Sequence, residues 1–448
     1  MRRWFVLSLL PIIGCHTCRE SVSPQIEAQV VAGTPACSVP EITPCTAITS
    51  PPPEGPLDLH ALWAMAIANN PSLREAAADV EAAQGRLIQA GLYPNPRFLA
   101  EDESLGTSQG PAGTVRLQLS QEIVTGGKRR LDRAVAARGT DVASLALLGR
   151  KFEILTRVRR GYYDYHGWEY ASKVAAENVA TLEKGVAMTE RALKQAGIVT
   201  RLDLLRIQAL LEQARIDLAR NRLNATAAWR RLADEVGSPQ LPKPQAADDF
   251  TDAVPHWDST AAEERVMAVH SDLRQAALEA ERARLEVERV RADLVPNVTV
   301  GGGYSRSFFE HAAGAILSVE TNVPLWDRKQ GFIHEAEARW ARAQAAQQST
   351  AVRLRQDTAD AFARYEGSRQ QVEKLSSEVI PRLEDSLNDI LKRFQRGAAQ
   401  AFLDILVAEQ SLNDARIRLA DSRRELWRAI ADLEGLMQLD LDEDESPP

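Results

Sequence analysis

Apolar residues recur every three or four positions along two very long stretches of the chain, about Lys128–Ala196 and Lys329–Arg396. This spacing places one apolar stripe along a helix and is typical of helices that pack lengthwise on their neighbours. Nearly seventy residues at a rise of about 1.5 Å each would extend about 100 Å. A closing helix with the same spacing follows each stretch, at 203–236 and 404–437. Pro381 lies inside the second long helix and is predicted to kink it.

Two pairs of short segments alternate apolar with polar residues, which predicts two β-hairpins at 95–124 and 297–323. The last of these segments has the weakest alternation. Each segment is close to the 9–11 residues that a tilted transmembrane strand requires. The four strands are predicted at 95–103, 114–124, 297–309 and 315–323.

A helix is predicted before each hairpin, at about Asp58–Gly91 and at about Ser259–Asp293. Both end at a Pro-Asn pair, Pro94-Asn95 in the first case and Pro296-Asn297 in the second. Proline cannot continue a helix and restricts the residue before it, so these pairs are predicted to terminate the two helices.

The order helix, hairpin, long helix, turn and closing helix therefore occurs twice, at 57–236 and at 259–437. Short matching strings recur in the same order with an offset of 200 to 202 residues, among them Leu73-Arg74 with Leu273-Arg274, and Asp203-Leu204-Leu205 with Asp404-Ile405-Leu406. These ordered matches predict that the chain is a tandem duplication of one unit. A solenoid is excluded because the period is far longer than the 20–50 residues of solenoid repeats. Residues 237–258 are predicted to be a linker, and 438–448 an acidic tail.

The first residues have the features of an export signal. Arg2 and Arg3 precede an apolar run that ends at Cys15, and this run is too short to span a bilayer as a helix. The string before Cys15 resembles a bacterial lipobox, which implies a signal peptide at 1–14, acylation of Cys15 and a lipidated Pro/Ser-rich tether at 15–56. The alternative is an ordinary signal peptide with an incidental cysteine. Export permits a disulfide, but three further cysteines leave its pairing open: Cys18, Cys37 and Cys45.

Composition and charge exclude several classes of function. A formal net charge of −8 argues against nucleic acid as a partner, since phosphate binding needs a basic surface. The seven histidines have no metal-ligand spacing, and no acid–base or nucleophile constellation is evident. Gly301-Gly302-Gly303 lies inside a predicted strand and lacks the Lys-Ser/Thr of a phosphate loop. We therefore expect no enzyme activity, no metal site and no cofactor.

Four strands are too few to form a transmembrane barrel, because the smallest bacterial barrels have about eight. Open strand edges cannot lie in lipid either, since each unpaired backbone group there costs several kcal/mol. If the strands enter a membrane, identical copies must share them. A homotrimer would pool twelve strands around a water-filled lumen, with the long helices forming an α-barrel below. The predicted fold class is therefore mainly α with a small β part.

The strings around the hairpins are similar to those of TolC-type outer-membrane efflux proteins. These strings are Leu92-Tyr93-Pro94-Asn95, Gln121-Glu122-Ile123-Val124-Thr125-Gly126-Gly127-Lys128-Arg129 and Val323-Pro324-Leu325-Trp326-Asp327-Arg328. The resemblance covers roughly 57–437 and is closest to the branch that serves heavy-metal cation pumps. It implies a passive outer-membrane duct that works with a periplasmic adaptor and an inner-membrane pump, of the RND type. The rival interpretation is a periplasmic lipoprotein coiled coil, either an adaptor or a structural spacer.

The resemblance also implies that the two turns between long and closing helices form the periplasmic mouth and contact the adaptor. Gly197 and Gly397 would supply left-handed residues that end the long helices. Asp203 and Asp404 have a purely structural alternative, because an acidic side chain stabilises the start of a helix. The second turn departs from the family pattern, with Gln400 in the Ser/Thr position and one extra residue before Asp404. The six candidate tip residues are Gly197, Thr200, Asp203, Gly397, Gln400 and Asp404.

Overall fold

The computed structural model describes most of the duplicated body, namely residues 58–103, 113–195, 199–243, 254–308, 310–395 and 401–439. The predicted signal peptide, Cys15 and the tether lie outside these residues, as does the tail from residue 440 onward. Gly197, Gly397 and Gln400 also lie outside them.

Both units have the same order of elements. The first contains α1 (Leu59–Asn69), α2 (Pro71–Ala90), β1 (Arg97–Glu103), β2 (Thr114–Ile123), α3 (Lys128–Gln195) and α4 (Arg201–Glu235). The second contains α5 (Ser259–Val269), α6 (Ser271–Ala292), β3 (Val298–Ser307), β4 (Ala312–Thr321), α7 (Gln330–Lys374), a π-helical turn (Leu375–Val379), α8 (Ile380–Gln395) and α9 (Ala401–Met437). The fold is mainly α with one small sheet and is duplicated, as the sequence predicted.

The prediction of a single helix before each hairpin is wrong, because each is divided in two. Asn70 takes an extended conformation (ψ 123°) that the following Pro71 favours, and its side chain caps α2. His270 occupies the equivalent position without a proline, and its Nδ1 accepts a hydrogen bond from the Asp272 N–H at 3.2 Å. Each break is anchored to the end of a closing helix: Asn70 Nδ2 donates to the Glu235 carbonyl oxygen at 2.7 Å.

The second long helix is also interrupted. Sequence reasoning predicted a kink at Pro381, and the structure has a π-helical turn at Leu375–Val379, which ends two residues before this proline. In this turn the Ile380 N–H donates to the Leu375 carbonyl oxygen. The Ser377 hydroxyl donates to the Glu373 carbonyl oxygen at 2.7 Å, which satisfies a backbone group that the wider turn releases. A proline at the next position removes a donor, so the wider turn and the proline occur together.

Two clusters of buried side chains hold the helices together, one in each unit. The first joins α1, α3 and α4, and the second joins α5, α7 and α9. Tyr165 in the first and Tyr365 in the second are 1% and 0% exposed and stand 200 positions apart. Burying each leucine of these clusters contributes about 1.5–3 kcal/mol. The larger side chains include Leu62, Trp63, Ile154, Val158, Tyr165, Trp229 and Leu232 in the first cluster, and Val266, Leu354, Tyr365, Leu426, Ile430 and Leu433 in the second.

Charged side chains join the two units across α3 and α9. Arg159 is 2% exposed and pairs with Glu434, which is 6% exposed. Asp432 pairs with Arg160 on α3 and, at 2.9 Å, with Arg364 on α7. An equivalent ion pair lies within each unit lower down, Arg215 with Glu183 at 2.9 Å and Arg416 with Glu384 at 2.8 Å.

The four strands form one antiparallel sheet in the order β1-β2-β3-β4, so the two hairpins pair with each other through β2 and β3. Leu119 stands opposite Phe98 on one side and opposite Gly302 on the other. The prediction for the last strand is shifted: β4 covers Ala312–Thr321 rather than 315–323. Pairing with β3 draws the small residues at 312–314 into the strand, because backbone hydrogen bonds there do not depend on side-chain propensity.

Candidate functional site

The sheet has one apolar face and one polar face. Side chains alternate across a strand, and the observed register brings most of the apolar ones of all four strands to the same face. Many of these side chains are exposed, Leu317 at 82% and Val319 at 68%. A broad exposed apolar surface of this kind marks contact with a membrane or a protein. Its members are Phe98, Ala100, Val115, Leu117, Leu119, Val300, Tyr304, Ala315, Leu317 and Val319.

The opposite face is polar, and two glycines of β3 leave space for side chains of the neighbouring strands at its centre. Gln118 Nε2 donates to the Ser318 hydroxyl at 2.5 Å, crossing the intervening strand β3. A Cβ at Gly301 would stand 2.5 Å from both of these atoms, so only glycine leaves room for the bond. A Cβ on Gly303 would likewise collide with the backbone of β2, at the Leu117 carbonyl oxygen. The glycines thus allow a side chain to span the sheet on its polar face.

Charged side chains lie at both ends of the polar face. Arg116 Nη1 lies 3.6 Å from Glu101 and 3.4 Å from Glu103 across the first hairpin. At the other end, Asn297 Nδ2 donates to Glu122 Oε1 at 2.6 Å. These groups are suited to water rather than to lipid, which assigns opposite environments to the two faces of the sheet.

Both outer strands of the sheet have an open edge within the described residues. β1 pairs only with β2, and β4 pairs only with β3. The outer edge of each therefore presents N–H and C=O groups that no other described strand covers. Such edges need a further strand or water, and in lipid only a further strand can satisfy them.

The loop after β2 is fastened to the start of β3. The Thr125 hydroxyl donates to the Pro296 carbonyl oxygen at 2.5 Å. Lys128 is 5% exposed, and its Nζ donates to Asn297 Oδ1 at 2.6 Å. The equivalent loop after β4 is exposed instead, with Trp326 at 87%.

The first tip turn is a well-formed helix cap. Thr200 caps α4, since its side chain accepts from the Asp203 N–H while the Asp203 carboxylate accepts from the Thr200 N–H at 3.0 Å. Hydrogen bonding from the Thr200 hydroxyl and backbone is the main cause that lowers the pKa of Asp203 below its usual range. The predicted structural role of Asp203 is confirmed, and the cap starts the helix at 201 rather than at 203. Leu202 and Leu205 beside it are 56% and 54% exposed.

The second tip turn differs from the first. Asp404 lies in the first turn of α9, as predicted, but α9 begins three residues earlier than the sequence indicated, at Ala401. Asp404 is exposed, whereas Asp203 is held in the cap. The structure therefore brings Thr200 and Asp203 together and leaves Asp404 as a charged side chain at the start of its helix.

Neither a metal cluster nor a membrane-spanning helix is found in the part of the chain that the structure describes. No group of three or more His, Cys, Asp or Glu side chains is arranged there to hold a metal ion. None of the helices described is both long enough and apolar enough to cross a bilayer.

Sequence reasoning missed the polar contacts that connect distant parts of the chain. The bond between Gln118 and Ser318 joins residues 200 positions apart, and the pair Arg159 and Glu434 joins residues 275 apart. The first contact joins equivalent positions of the two units, so the repeat offset of 200 residues could have indicated it. Nothing in the local sequence indicates the second.

A family model, protein sequences and solved structures all match this chain over most of its length. The model of the family described as "Outer membrane efflux protein" matches residues 62–238 and 264–437, one match for each unit. The cobalt-zinc-cadmium resistance protein CzcC of Cupriavidus metallidurans is 25% identical over 86% of this chain and 90% of its own length. The solved structure of CusC has a TM-score of 0.74 and 18% identity, covering 85% of this chain and 91% of that one. VceC of Vibrio cholerae has a TM-score of 0.70 and 20% identity, covering 85% and 95%.

The family match covers more than half of the chain and coincides with the two units of the duplication. The fold agrees with that of the solved relatives over most of both chains. The two-faced sheet stands above long paired helices, as an outer-membrane channel with a large helical part requires. The chain therefore belongs to the outer membrane efflux protein family, of the TolC type, whose members are efflux channels of the outer membrane.

Proposed function

We propose that this chain is the duct subunit of a tripartite efflux system and that three copies pool their strands into one twelve-stranded barrel. The observation that carries the proposal is the sheet with one lipid-compatible face, one polar face and two open edges. A single copy cannot enter a bilayer in that form, because the edges of β1 and β4 would be unpaired in lipid. Closure around a threefold axis pairs β4 of each copy with β1 of the next and leaves no edge.

The pairing within the chain gives the register expected between copies. Phe98 stands opposite Leu119 in the first hairpin, and Val300 stands opposite Val319 in the second. Since Val300 is the counterpart of Phe98 at an offset of 202, Val319 is the counterpart of Leu119 at an offset of 200. Transferring the contact between Leu119 and Gly302 to the seam between copies places Val319 opposite Ala100 of the next copy.

A cysteine pair on the polar face tests this register. Leu99 and Glu320 are neighbours of the pair just derived and face the predicted lumen, where an oxidant has access. With Cys18, Cys37 and Cys45 replaced by Ser, the chain carrying Leu99→Cys and Glu320→Cys should form covalent dimers and trimers on oxidation. The control pairs Leu99→Cys with Gly314→Cys, on the same face of β4 but about 20 Å from Glu320 at about 3.4 Å per residue.

A ladder from the first pair and none from the control supports the shared barrel. Monomers from both pairs, in protein extracted from outer membranes, would contradict it. That outcome would favour the rival interpretation, a helical spacer that does not share strands.

We propose that the tip turns contact the periplasmic adaptor. Exposed Leu202 and Leu205 next to the rigid Thr200 cap provide apolar anchors of the kind that dominate protein interfaces. Leu202→Asp should weaken co-purification of the adaptor from the same system, while the distant exposed substitution Leu223→Asp on α4 should not. Equal loss from both variants would argue against a tip-specific contact. The proposed contact set is Gly197, Thr200, Asp203, Gly397, Gln400 and Asp404.

We propose heavy-metal cations as the substrate class, with an RND-type inner-membrane pump as the partner. The relative CzcC is a cobalt-zinc-cadmium resistance protein, and its name and the resemblance of the string Glu122–Arg129 support this choice. Deleting the gene should lower tolerance to cobalt, zinc or cadmium, and re-expression should restore it. Unchanged metal tolerance with reduced tolerance to organic drugs would instead indicate a drug-type system.

We propose that Cys15 carries the lipid anchor. Cys15→Ser should abolish incorporation of labelled fatty acid, whereas Cys18→Ser should leave it unchanged. Equal labelling of the Cys15→Ser variant would contradict the anchor without affecting the barrel.

A further inference from the structure

Two exposed aromatic segments flank the sheet on the side of the helices. Before β1, Leu92 is 54% and Tyr93 is 70% exposed. After β4, Leu325 is 59% and Trp326 is 87% exposed. Large side chains exposed to this extent indicate a surface that a partner covers.

The chain contains a covered version of the same junction between its two units. The loop after β2 lies on the segment before β3 and is fixed there by Thr125 and Lys128, as described above. Gly126 stands against Val295 so closely that a Cβ on the glycine would lie 3.1 Å from the Val295 Cβ. We call the loop after each hairpin (124–127 and 322–329) the exit loop, and the segment before each hairpin (91–96 and 293–297) the entry segment. The exit loop of the first unit is therefore fastened to the entry segment of the second unit.

The duplication identifies the counterparts of these residues. On the entry side, where the offset is 202, Val295 corresponds to Tyr93 and Asn297 to Asn95. On the exit side the strand pairing gives an offset of 200, and the loop of four residues between β2 and α3 corresponds to a longer loop, 322–329, which contains Trp326. Within the described residues, no further entry segment follows the exit loop of the second unit. The segment that would contact this loop in the same way is the entry segment of another copy.

We propose that Trp326 of one copy packs against Tyr93 of the next, forming an aromatic clasp at each seam of the assembly. The clasp rests on the proposed trimer and extends the strand pairing of β4 with β1 below the sheet. A second copy of this chain is the occupant because, among the described segments, the one before β1 repeats the segment before β3 that contacts the first loop.

The sizes and contacts of the side chains fit this arrangement. The covered junction is formed by glycine and valine, with little space between backbones, whereas the exposed one has two large aromatic rings. Arg129 of the same chain stands over the Tyr93 ring at 3.4 Å from its centroid and covers one face. The other face of the Tyr93 ring is available to the Trp326 indole of the next copy. Offset-stacked or edge-to-face aromatic pairs are favourable beyond the area that they bury.

The loop after β4 also carries the charge that the junction needs. Lys128 donates to Asn297 in the covered junction from the first residue of α3, and the loop after β4 carries Arg328 two residues before α7 begins. Arg328 is exposed, as is Asn95. Within the clasp, Arg328 would offer a positive charge to the Asn95 side chain of the next copy, beside the ring contact.

Disulfide trapping tests the clasp separately from the barrel. In the background lacking Cys18, Cys37 and Cys45, Tyr93→Cys with Trp326→Cys should give a ladder up to covalent trimer on oxidation. The control, Phe308→Cys with Trp326→Cys, places one cysteine at the far end of β3 and should stay monomeric. A ladder from the Leu99 and Glu320 strand pair but none from the clasp pair overturns the clasp and leaves the trimer. Absence of both ladders removes the trimer and the clasp together.

A double-mutant cycle with Tyr93→Ala and Trp326→Ala measures the coupling in intact trimers. The equilibrium between trimer and monomer in detergent should show non-additivity of about twofold to tenfold per seam, the range for aromatic pairs. Phe308→Ala serves as the matched aromatic deletion and should combine additively with Trp326→Ala. Additive behaviour of the Tyr93 and Trp326 pair overturns the clasp. So does strong quenching by brominated phospholipid chains that disappears in Trp326→Phe, because the indole would then lie in the bilayer.

Discussion

The buried ion pair between Arg159 and Glu434 should make a large contribution to the stability of the helical body. It joins the first unit to the closing helix of the second, and both residues are less than one-tenth exposed. The Arg159 guanidinium also lies 4.7 Å from the centroid of the Trp63 ring, within the first buried cluster. In Glu434→Ala the arginine stays in this apolar site without its carboxylate.

The expected loss follows from the burial. Removing one partner of a buried ion pair costs about 3–5 kcal/mol, because the remaining charge is not solvated. At about 2.1 cal/mol/K of unfolding entropy per residue and roughly 350 residues, that corresponds to a fall of roughly 4–7 °C in the unfolding midpoint. The exposed pair of Arg428 with Glu425 on the same helix, at 3.6 Å, provides the comparison. Glu425→Ala should cost less than about 1 kcal/mol, which lowers the midpoint by about 1 °C.

Thermal loss of the helical circular-dichroism signal measures both variants in detergent at one scan rate, since unfolding of such proteins is often irreversible. Replacing both partners with apolar residues, Arg159→Met with Glu434→Leu, should recover most of the loss, because no uncompensated charge remains. Equal midpoints for Glu434→Ala and Glu425→Ala would refute the reasoning. So would a double variant no more stable than Glu434→Ala, since the loss would then come from packing.

Three further predictions concern the tip, the sheet and the helix break. Asp203→Ala should speed hydrogen exchange in the first turn of α4 by about fivefold, the equivalent of about 1 kcal/mol for a lost cap. In the native protein, exchange protection from this cap should be present above the usual carboxyl pKa and be lost as the pH falls through the lowered pKa of Asp203. Gly301→Ala should lower single-channel conductance by breaking the bond that crosses the sheet, whereas Gly302→Ala, which meets open space, should not. Burial lowers the pKa of His270, so its contribution to stability is present above about pH 6.5 and is lost as the pH falls through the folded-state pKa. The unfolding midpoint of His270→Asn should accordingly change less between pH 7.5 and pH 5 than that of the native protein.

Periodic features of the sequence were sufficient to predict most of the architecture. The heptad spacing and the repeated strings identified the long helices, the hairpins and the duplication. The Thr200 cap was also accessible, because a hydroxyl followed three residues later by a carboxylate is a local signal. The break at Asn70 was visible in Pro71 but was missed, since the helical periodicity continues on both sides of it.

Features that depend on tertiary contacts could not be predicted in this way. His270 breaks a helix without a proline, and its cap forms because the following helix docks on α9 through Ser271 and Gln438. The small residues that begin β4 have low strand propensity and become a strand only by pairing with β3. Tyr93 and Trp326 at the sheet junction belong to strings typical of the family, but their exposure follows from the arrangement of the two units.

The π-helical turn accounts for a difference in spacing between the upper and lower parts of the long helices. Above the turn, the buried residues Tyr165 and Tyr365 stand 200 positions apart. Below it, the ion pairs of Glu183 and Glu384 with their closing helices stand 201 apart. The second unit thus carries a single inserted residue, and the wider turn at Leu375–Val379 absorbs it as a local bulge. Without such a bulge, the insertion would rotate everything beneath it by about 100°, at about 3.6 residues per turn, and the mouth would lose its matching faces.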